Sequence, residues 1–340
     1  MTPVAETEAG ASAPASPAFS PSLRKRQQRR ATWRRRRTVL LFMSPWILGF
    51  SIFFGYPIVY TAYLSFTRYN LITSPEWVGL RNFRYLFTQD PFFRPALKNT
   101  LWIMTIMVPL QVMFAFGIAL ILARARRGIG IFRTIFYLPA LAPPVAATLA
   151  FVYIFNPGSG PVNLILGKLG ISGPLWFNDP RWAKPALTLL AIWGVGNLMI
   201  IFLASILDVP RQLQESAEID GAGPFQRLIY VTLPSISPVI LFAVVISVIA
   251  GLQYFTQAYV ASTIASGNAT QAGDQPIYNL GYPQNSTLFL PVLLFSQGLR
   301  SFQMGYGAAI ALLILLASFA ATLIIVGGSR RWVHYQGGGR

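Results

Sequence analysis

The sequence predicts an all-α integral membrane protein with six transmembrane helices, on three observations. Of its 340 residues, 54% are hydrophobic and 11% charged, against about 25% charged in a soluble domain. Six apolar runs are long enough to cross about 30 Å of hydrocarbon, which takes roughly 20 residues: 38–66, 101–123, 131–155, 185–207, 236–260 and 306–327. Apart from Arg133, these runs hold no Asp, Glu, Lys, Arg or His. The third observation is where the basic residues fall.

Nine Lys and Arg lie in 24–37, before the first run, and Arg124, Arg126 and Arg127 sit between the second and third. Basic residues flanking a span mark the cytoplasmic side. Six spans then place both termini in the cytoplasm, with 18 of the 27 basic residues inside and nine outside. The net charge of +17 is therefore read as topology, with no nucleic-acid partner, although 24–37 could serve as an acid- or RNA-binding arm. The expected division is 1–37, a disordered basic tail; 38–98, the first helix and an external loop; 99–327, a five-helix core carrying a cytoplasmic loop at 208–234; and 328–340, a second tail. The run 38–66 is too long for a cleavable signal peptide and reads as a retained span.

Function classes can be excluded by missing parts. There is no cysteine, and the single histidine is His334 in the tail. No metal site, cofactor or catalytic residue is expected. An ion-coupled carrier usually places Asp, Glu or His inside the membrane, and these spans have none. No phosphate-binding Gly-rich loop with Lys-Ser/Thr occurs, so the chain is not expected to hydrolyse ATP. Energy must arrive from outside the chain.

The third run holds Pro139, Pro143 and Pro144, which bend or break a helix. Broken helices at membrane depth survive where they line a cavity or are buried in protein. The fourth and fifth runs offer neutral hydrogen-bonding and aromatic groups, Asn197, Gln253, Tyr254 and Gln257, with Gly194 and Gly196 allowing close approach. These suit a neutral sugar or polyol, or serve as interhelical hydrogen-bonding glue. The outer segments 66–98, 157–182 and 261–300 read as loops, the first lying along the interface or as an ordinary surface loop.

Three carboxylates, Glu215, Glu218 and Asp220, gather in a chain with only ten acids. Asp208 and Pro210 fit a helix start. Val209, Leu213 and Ala217 form one apolar stripe. Gly221 fits the left-handed residue that ends a helix, and Pro224 opens a second helix over 225–233 that Pro234 stops. The pattern is a compact knob of two short helices, carrying acids and a large Phe225. It fits a docking element for a soluble partner better than a solubilising linker.

The knob resembles the EAA loop of the membrane subunits of binding-protein-dependent ABC importers. The matching residues are Glu215, Ser216 (for the usual Ala), Ala217, Gly221, Val231, Leu233 and Pro234. Stretches such as "FFGYPIVYTAYLSF" and "GYGAAIALL" resemble the sugar-permease branch, and the likeness covers roughly 38–327. The resemblance implies the type I permease architecture in a bacterial plasma membrane. It implies a second permease subunit, two copies of a cytoplasmic ATPase and an external solute-binding protein. Glu215, Ala217, Glu218, Asp220, Gly221, Phe225, Leu233 and Pro234 would dock the ATPase, and Gly194, Asn197, Gln253, Tyr254 and Gln257 would line the substrate path. A glycerol phosphodiester, another small solute, or an ion-coupled mechanism are the alternatives to a neutral carbohydrate.

Overall fold

The computed structural model describes residues 21–124, 128–267 and 281–333. Arg126, Arg127, His334 and Arg340, and most of the expected tails, lie outside the described residues. The chain divides into two units, Met1–Tyr60 and Thr61–Arg340. Helix α1 (Pro21–Phe50) lies in the first and passes through a π turn at Ser51–Gly55 into α2 (Tyr56–Ser65), whose last five residues belong to the second unit. The backbone of 21–37 is thus helical, against the expected disordered tail. Arg, Lys and Gln are good helix formers, and a helix already nucleated by the apolar run extends upstream at one bond per residue.

After the end of α2, the second unit continues with a two-stranded antiparallel pair, β1 (Thr67–Arg68) and β2 (Glu76–Trp77), followed by α3 (Arg81–Thr88). Asn82 donates from Nδ2 to the carbonyls of Ser65 and Thr67, each at 2.9 Å. The segment 66–98, expected to be a loop, is therefore folded, with Leu86 fully buried. Asp90 accepts from the backbone N–H of Phe92 (2.7 Å) and from the hydroxyl of Tyr306. Tyr306 belongs to α16 (Met304–Ser329), the last helix. Gly305 makes the junction possible: a Cβ there would lie 2.0 Å from the Thr67 carbonyl oxygen.

The remaining spans follow the apolar runs, with local departures. Helices α4 (Phe93–Trp102) and α5 (Val108–Arg124) form one span of 32 residues through a π turn at Ile103–Met107. The third run breaks into α6 (Ile129–Tyr137), a 3₁₀ turn Leu138–Leu141 and α7 (Pro144–Ile154), with a 98° bend. Three prolines in six residues account for it, as expected. The fourth run also breaks, into α9 (Ala183–Trp193) and α10 (Gly196–Leu207), bent by 49°. Between α7 and α9, helix α8 (Pro161–Lys168) occupies what reads as loop.

The fifth span, expected to run unbroken over 236–260, ends early. Helix α13 (Leu233–Leu252) stops, and α14 (Thr256–Ala265) starts after three residues. Upstream, α12 (Pro224–Arg227) continues through a π turn at Leu228–Thr232 into α13, so Pro234 does not end a helix. A proline inside a helix lacks a donor and crowds the carbonyl four residues back; the widened π turn just ahead of it gives that relief. Finally, α15 (Leu290–Leu294) and a π turn Phe295–Arg300 fill part of the expected loop 261–300. Their buried face, Val292, Leu293, Ser296 and Gln297, packs inside the unit. At 11 residues the pair is too short to register as a span.

Small residues set the closest approaches. A Cβ on Gly196 would sit 2.8 Å from Tyr137 Cα and 2.9 Å from the Phe136 carbonyl, where α10 crosses the bent third span. A Cβ on Gly194 meets nothing nearer than 3.7 Å. Gly196→Leu should therefore cost about 1–3 kcal/mol by overpacking, seen as a lower melting temperature in detergent. Gly194→Ala should melt close to the parent.

Candidate functional site: a cavity at three helix breaks and an acidic knob

The interrupted helices converge. A cavity of about 440 Å³ is lined by Pro139, Ala140, Ala142 and Pro144 from the first break, by Trp193 and Gly194 from the second, and by Gln253 and Tyr254 from the third. Met107, from the π turn between α4 and α5, joins them, with Gln111, Ser247, Gly251 and Gln257. No charged side chain is in the lining.

Each break leaves backbone groups needing partners. At the second, the N–H of Val195 bonds to Ile192 O (3.4 Å), which leaves the Ala191 carbonyl without its usual helical donor. Gln111 Nε2 donates to that carbonyl at 3.4 Å. At the third, the N–H of Gln253 is shared between Ile249 O and Ala250 O, both at 3.2 Å. Gly251 lets α13 press on the α4–α5 span, since a Cβ there would lie 3.0 Å from Ile103 Cγ2.

Of the residues read from sequence, Gly194, Gln253, Tyr254 and Gln257 line this one cavity, and Asn197 does not. Asn197 is exposed, on a turn of α10 beyond the lining. Gln111, Trp193 and Ser247 join the lining although sequence reasoning did not single them out. Gln111 carried a signal, as an amide within an apolar helix. Tyr254 is buried, with its ring edge on Phe289 at 5.8 Å, and its hydroxyl has no hydrogen-bond partner among the described residues.

A further cation lies just before the predicted fourth run, within α9. Lys184 Nζ donates to Asn99 Oδ1 at 3.0 Å and sits 5.6 Å from the Trp102 ring centre. Asn99 is buried and donates in turn to the carbonyls of Asn285 (2.6 Å) and Leu288 (2.9 Å). Through Asn99 the ammonium is tied to the 285–288 segment, and it is absent from the cavity lining.

The second candidate region is the knob. Helix α11 (Arg211–Ile219) starts after Pro210, without a side-chain capping bond. Asp208 closes α10 and does not cap α11, because Pro210 itself takes the capping position. Gly221 has φ +83°, the left-handed region. The N–H of Ala222 bonds back to Ala217 O (2.9 Å) and that of Gly221 to Glu218 O (3.1 Å). This nested pair is the Schellman arrangement that closes a helix end. On the return, Gln226 Oε1 accepts from the N–H of Gly223 (2.8 Å), and Arg227 Nη1 reaches Glu218 Oε2 at 2.7 Å across the two helices.

The faces of the knob differ. Ala217 and Pro234 are half-buried and line the hollow between the helices with Leu213, Tyr230 and Val231; Leu233 is also half-buried. Glu215, Asp220, Gly221 and Phe225 are exposed. Ile219, which sequence reasoning passed over, is 86% exposed, and Phe225 is 72% exposed. Both apolar side chains thus stand uncovered on a knob that also carries exposed carboxylates.

The fold and these two regions define a polytopic membrane transport component. Residues 111–332 match the family described as "Binding-protein-dependent transport system inner membrane component", and the chain belongs to that family. It is 37% identical over 297 residues to "Probable ABC transporter permease protein YesP" of Bacillus subtilis (strain 168), covering 87% of this chain and 91% of that protein. It is 33% identical over 290 residues to "Arabinooligosaccharides transport system permease protein AraP" of the same organism, covering 84% and 86%. A chain of the solved "bacterial alginate ABC transporter in complex with alginate pentasaccharide-bound periplasmic protein" shares its fold, with a TM-score of 0.69 at 23% identity, covering 88% of this chain and 96% of that one.

The knob geometry yields a ranking. Gly221→Ala should loosen the knob by roughly 1 kcal/mol, the strain of a left-handed non-glycine residue. Arg227→Ala should cost less, within the 0–1 kcal/mol of a surface pair. Hydrogen exchange at the Ala222 amide checks this: its protection should fall further in Gly221→Ala than in Arg227→Ala.

Proposed function

We propose that this chain forms half of the import path for a neutral carbohydrate and is driven by a separate ATPase that docks on the knob. The observation that carries the substrate reading is the cavity. Three helix breaks meet around amides, hydroxyls and aromatic faces, with no charge on the lining. A neutral polyol matches such groups one hydrogen bond at a time, and an indole such as Trp193 offers an apolar face to a sugar ring. The unpartnered Tyr254 hydroxyl supports the same reading, because a buried polar group left unbonded costs about 1–3 kcal/mol and a passing hydroxyl would relieve it. A phosphate ester or other anion would call for a cation in the lining. Lys184 is held by Asn99 instead. The name of the AraP relative, an arabinooligosaccharide permease, points the same way.

In this reading the amino terminus, the knob and the carboxyl terminus face the cytoplasm of a bacterial plasma membrane. Glu215, Asp220 and Ile219 face the ATPase, Phe225 stands at the edge between that surface and the groove beside α5, and Ala217, Glu218, Gly221, Leu233 and Pro234 hold the knob in shape. A second permease subunit completes the path, two copies of the ATPase supply the free energy, and an external binding protein delivers the sugar.

The test is uptake of labelled oligosaccharides by the assembled transporter. Gln253→Ala with Gln257→Ala should cut uptake about five- to 150-fold while the subunits still co-purify, since each lost hydrogen bond is worth about 0.5–1.5 kcal/mol. Gly221→Asp and Glu215→Lys should leave membrane insertion intact but abolish ATP-driven uptake. Normal uptake in the glutamine double variant would remove the cavity from the path, and normal uptake in both knob variants would reduce 208–234 to a linker.

A further inference from the structure

A second cavity, of about 560 Å³, lies between the carboxyl end of α5 and the base of the knob. Its charged lining residues are Arg124, Arg211, Arg227 and Glu215. Arg227 is already bonded to Glu218. Among the described residues no carboxylate lies within ion-pair range of Arg124 or Arg211. The cleft therefore holds more positive charge than its own carboxylates balance.

This cleft runs into an apolar groove of about 600 Å³, lined by Gly117, Leu120, Ile121, Phe225 and Leu228 beside Arg124 and Pro224. Leu120, Arg124, Pro224 and Leu228 belong to both. Along α5, Gly117 lies seven residues before Arg124, about 10 Å deeper at 1.5 Å per residue. Ile121 is 72% exposed on this wall. A polar, cationic mouth at the end of a span thus opens into an oily channel beside the same span.

We propose that this composite site binds one anionic phospholipid, with its phosphate among Arg124, Arg211 and Arg227 and an acyl chain along Gly117, Leu120 and Ile121. Charge selects the headgroup. Arg offers several N–H donors in a plane that suits phosphate oxygens, and basic pockets beside spans on the cytoplasmic side suit acidic lipids. The apolar groove selects a lipid over a free anion, which would leave Ile121 and Leu120 uncovered. Arg227 joins the headgroup to the Glu218 bridge, so the bound lipid braces the base of the knob. The inference rests on the orientation proposed above only for the choice of leaflet.

The test uses the full chain in detergent micelles containing equal amounts of phosphatidylglycerol and phosphatidylcholine, with retained lipid read by native mass spectrometry. The chain alone is measured, so the outcome is independent of sugar and of ATPase docking. The parent should retain one phosphatidylglycerol in preference to phosphatidylcholine. Arg124→Gln with Arg211→Gln should lower retention roughly tenfold or more, at about 1 kcal/mol per arginine. Gly117→Leu should do the same with the arginines intact, because a Cβ at Gly117 meets nothing within 4 Å and a larger side chain would fill the groove. Both variants should elute as the parent does on size exclusion. Equal retention of the two lipids by the parent, or undiminished phosphatidylglycerol in a folded variant of either kind, would overturn the proposal.

Discussion

In hydrocarbon every backbone N–H and C=O must find a partner within the protein or in a water-filled space. That constraint orders this molecule. Long stretches obey it as helix, and the interruptions are confined to where they can be satisfied. Three breaks, at 142–143, 194–195 and 253–255, open on one cavity. At one of them a glutamine from a neighbouring helix supplies the donor that the helix has lost. That glutamine also lines the cavity. Polar lining and broken helices are thus one feature seen from two sides.

The knob solves the opposite problem. It lies outside the apolar runs, and its backbone can be capped with short local bonds. The left-handed Gly221 and the paired returns to Ala217 and Glu218 turn the chain in a few residues. The result is compact enough to present Ile219 and Phe225 outward among carboxylates. The inner face is built from small or rigid residues, Ala217 and Pro234, and the joint between helices is closed by the Glu218–Arg227 pair. Its second helix runs unbroken into α13, because the π turn at Leu228–Thr232 admits Pro234. The knob is therefore joined to a 29-residue helix whose far end borders the cavity.

Much of this was legible in the sequence because hydropathy and turn chemistry are local. The six apolar runs located the spans, the prolines located the bend in the third, and Gly221 located the turn of the knob. What escaped depends on neighbours distant in sequence. No proline or glycine occupies 253–255, so nothing local announced the end of α13. Leu290–Leu294 is too short to read as membrane-embedded, yet it is buried by α4 and α16 around it. Lys184 lies one residue before the predicted fourth run, and only the fold brings Asn99 to it. Asn197 carries the same amide group as the cavity glutamines, but its place on α10 keeps it out of the lining.

In the proposed transporter a soluble ATPase covers the knob. The chain contains no cysteine, so a single Ile219→Cys reports on that surface without background. Thiol labelling in a transport-competent complex is the direct measurement. The account predicts rapid labelling of the chain alone, as expected for a side chain 86% exposed, and strong protection once the ATPase is bound. Equal labelling rates with and without the ATPase, in a complex that still imports its substrate, would contradict it.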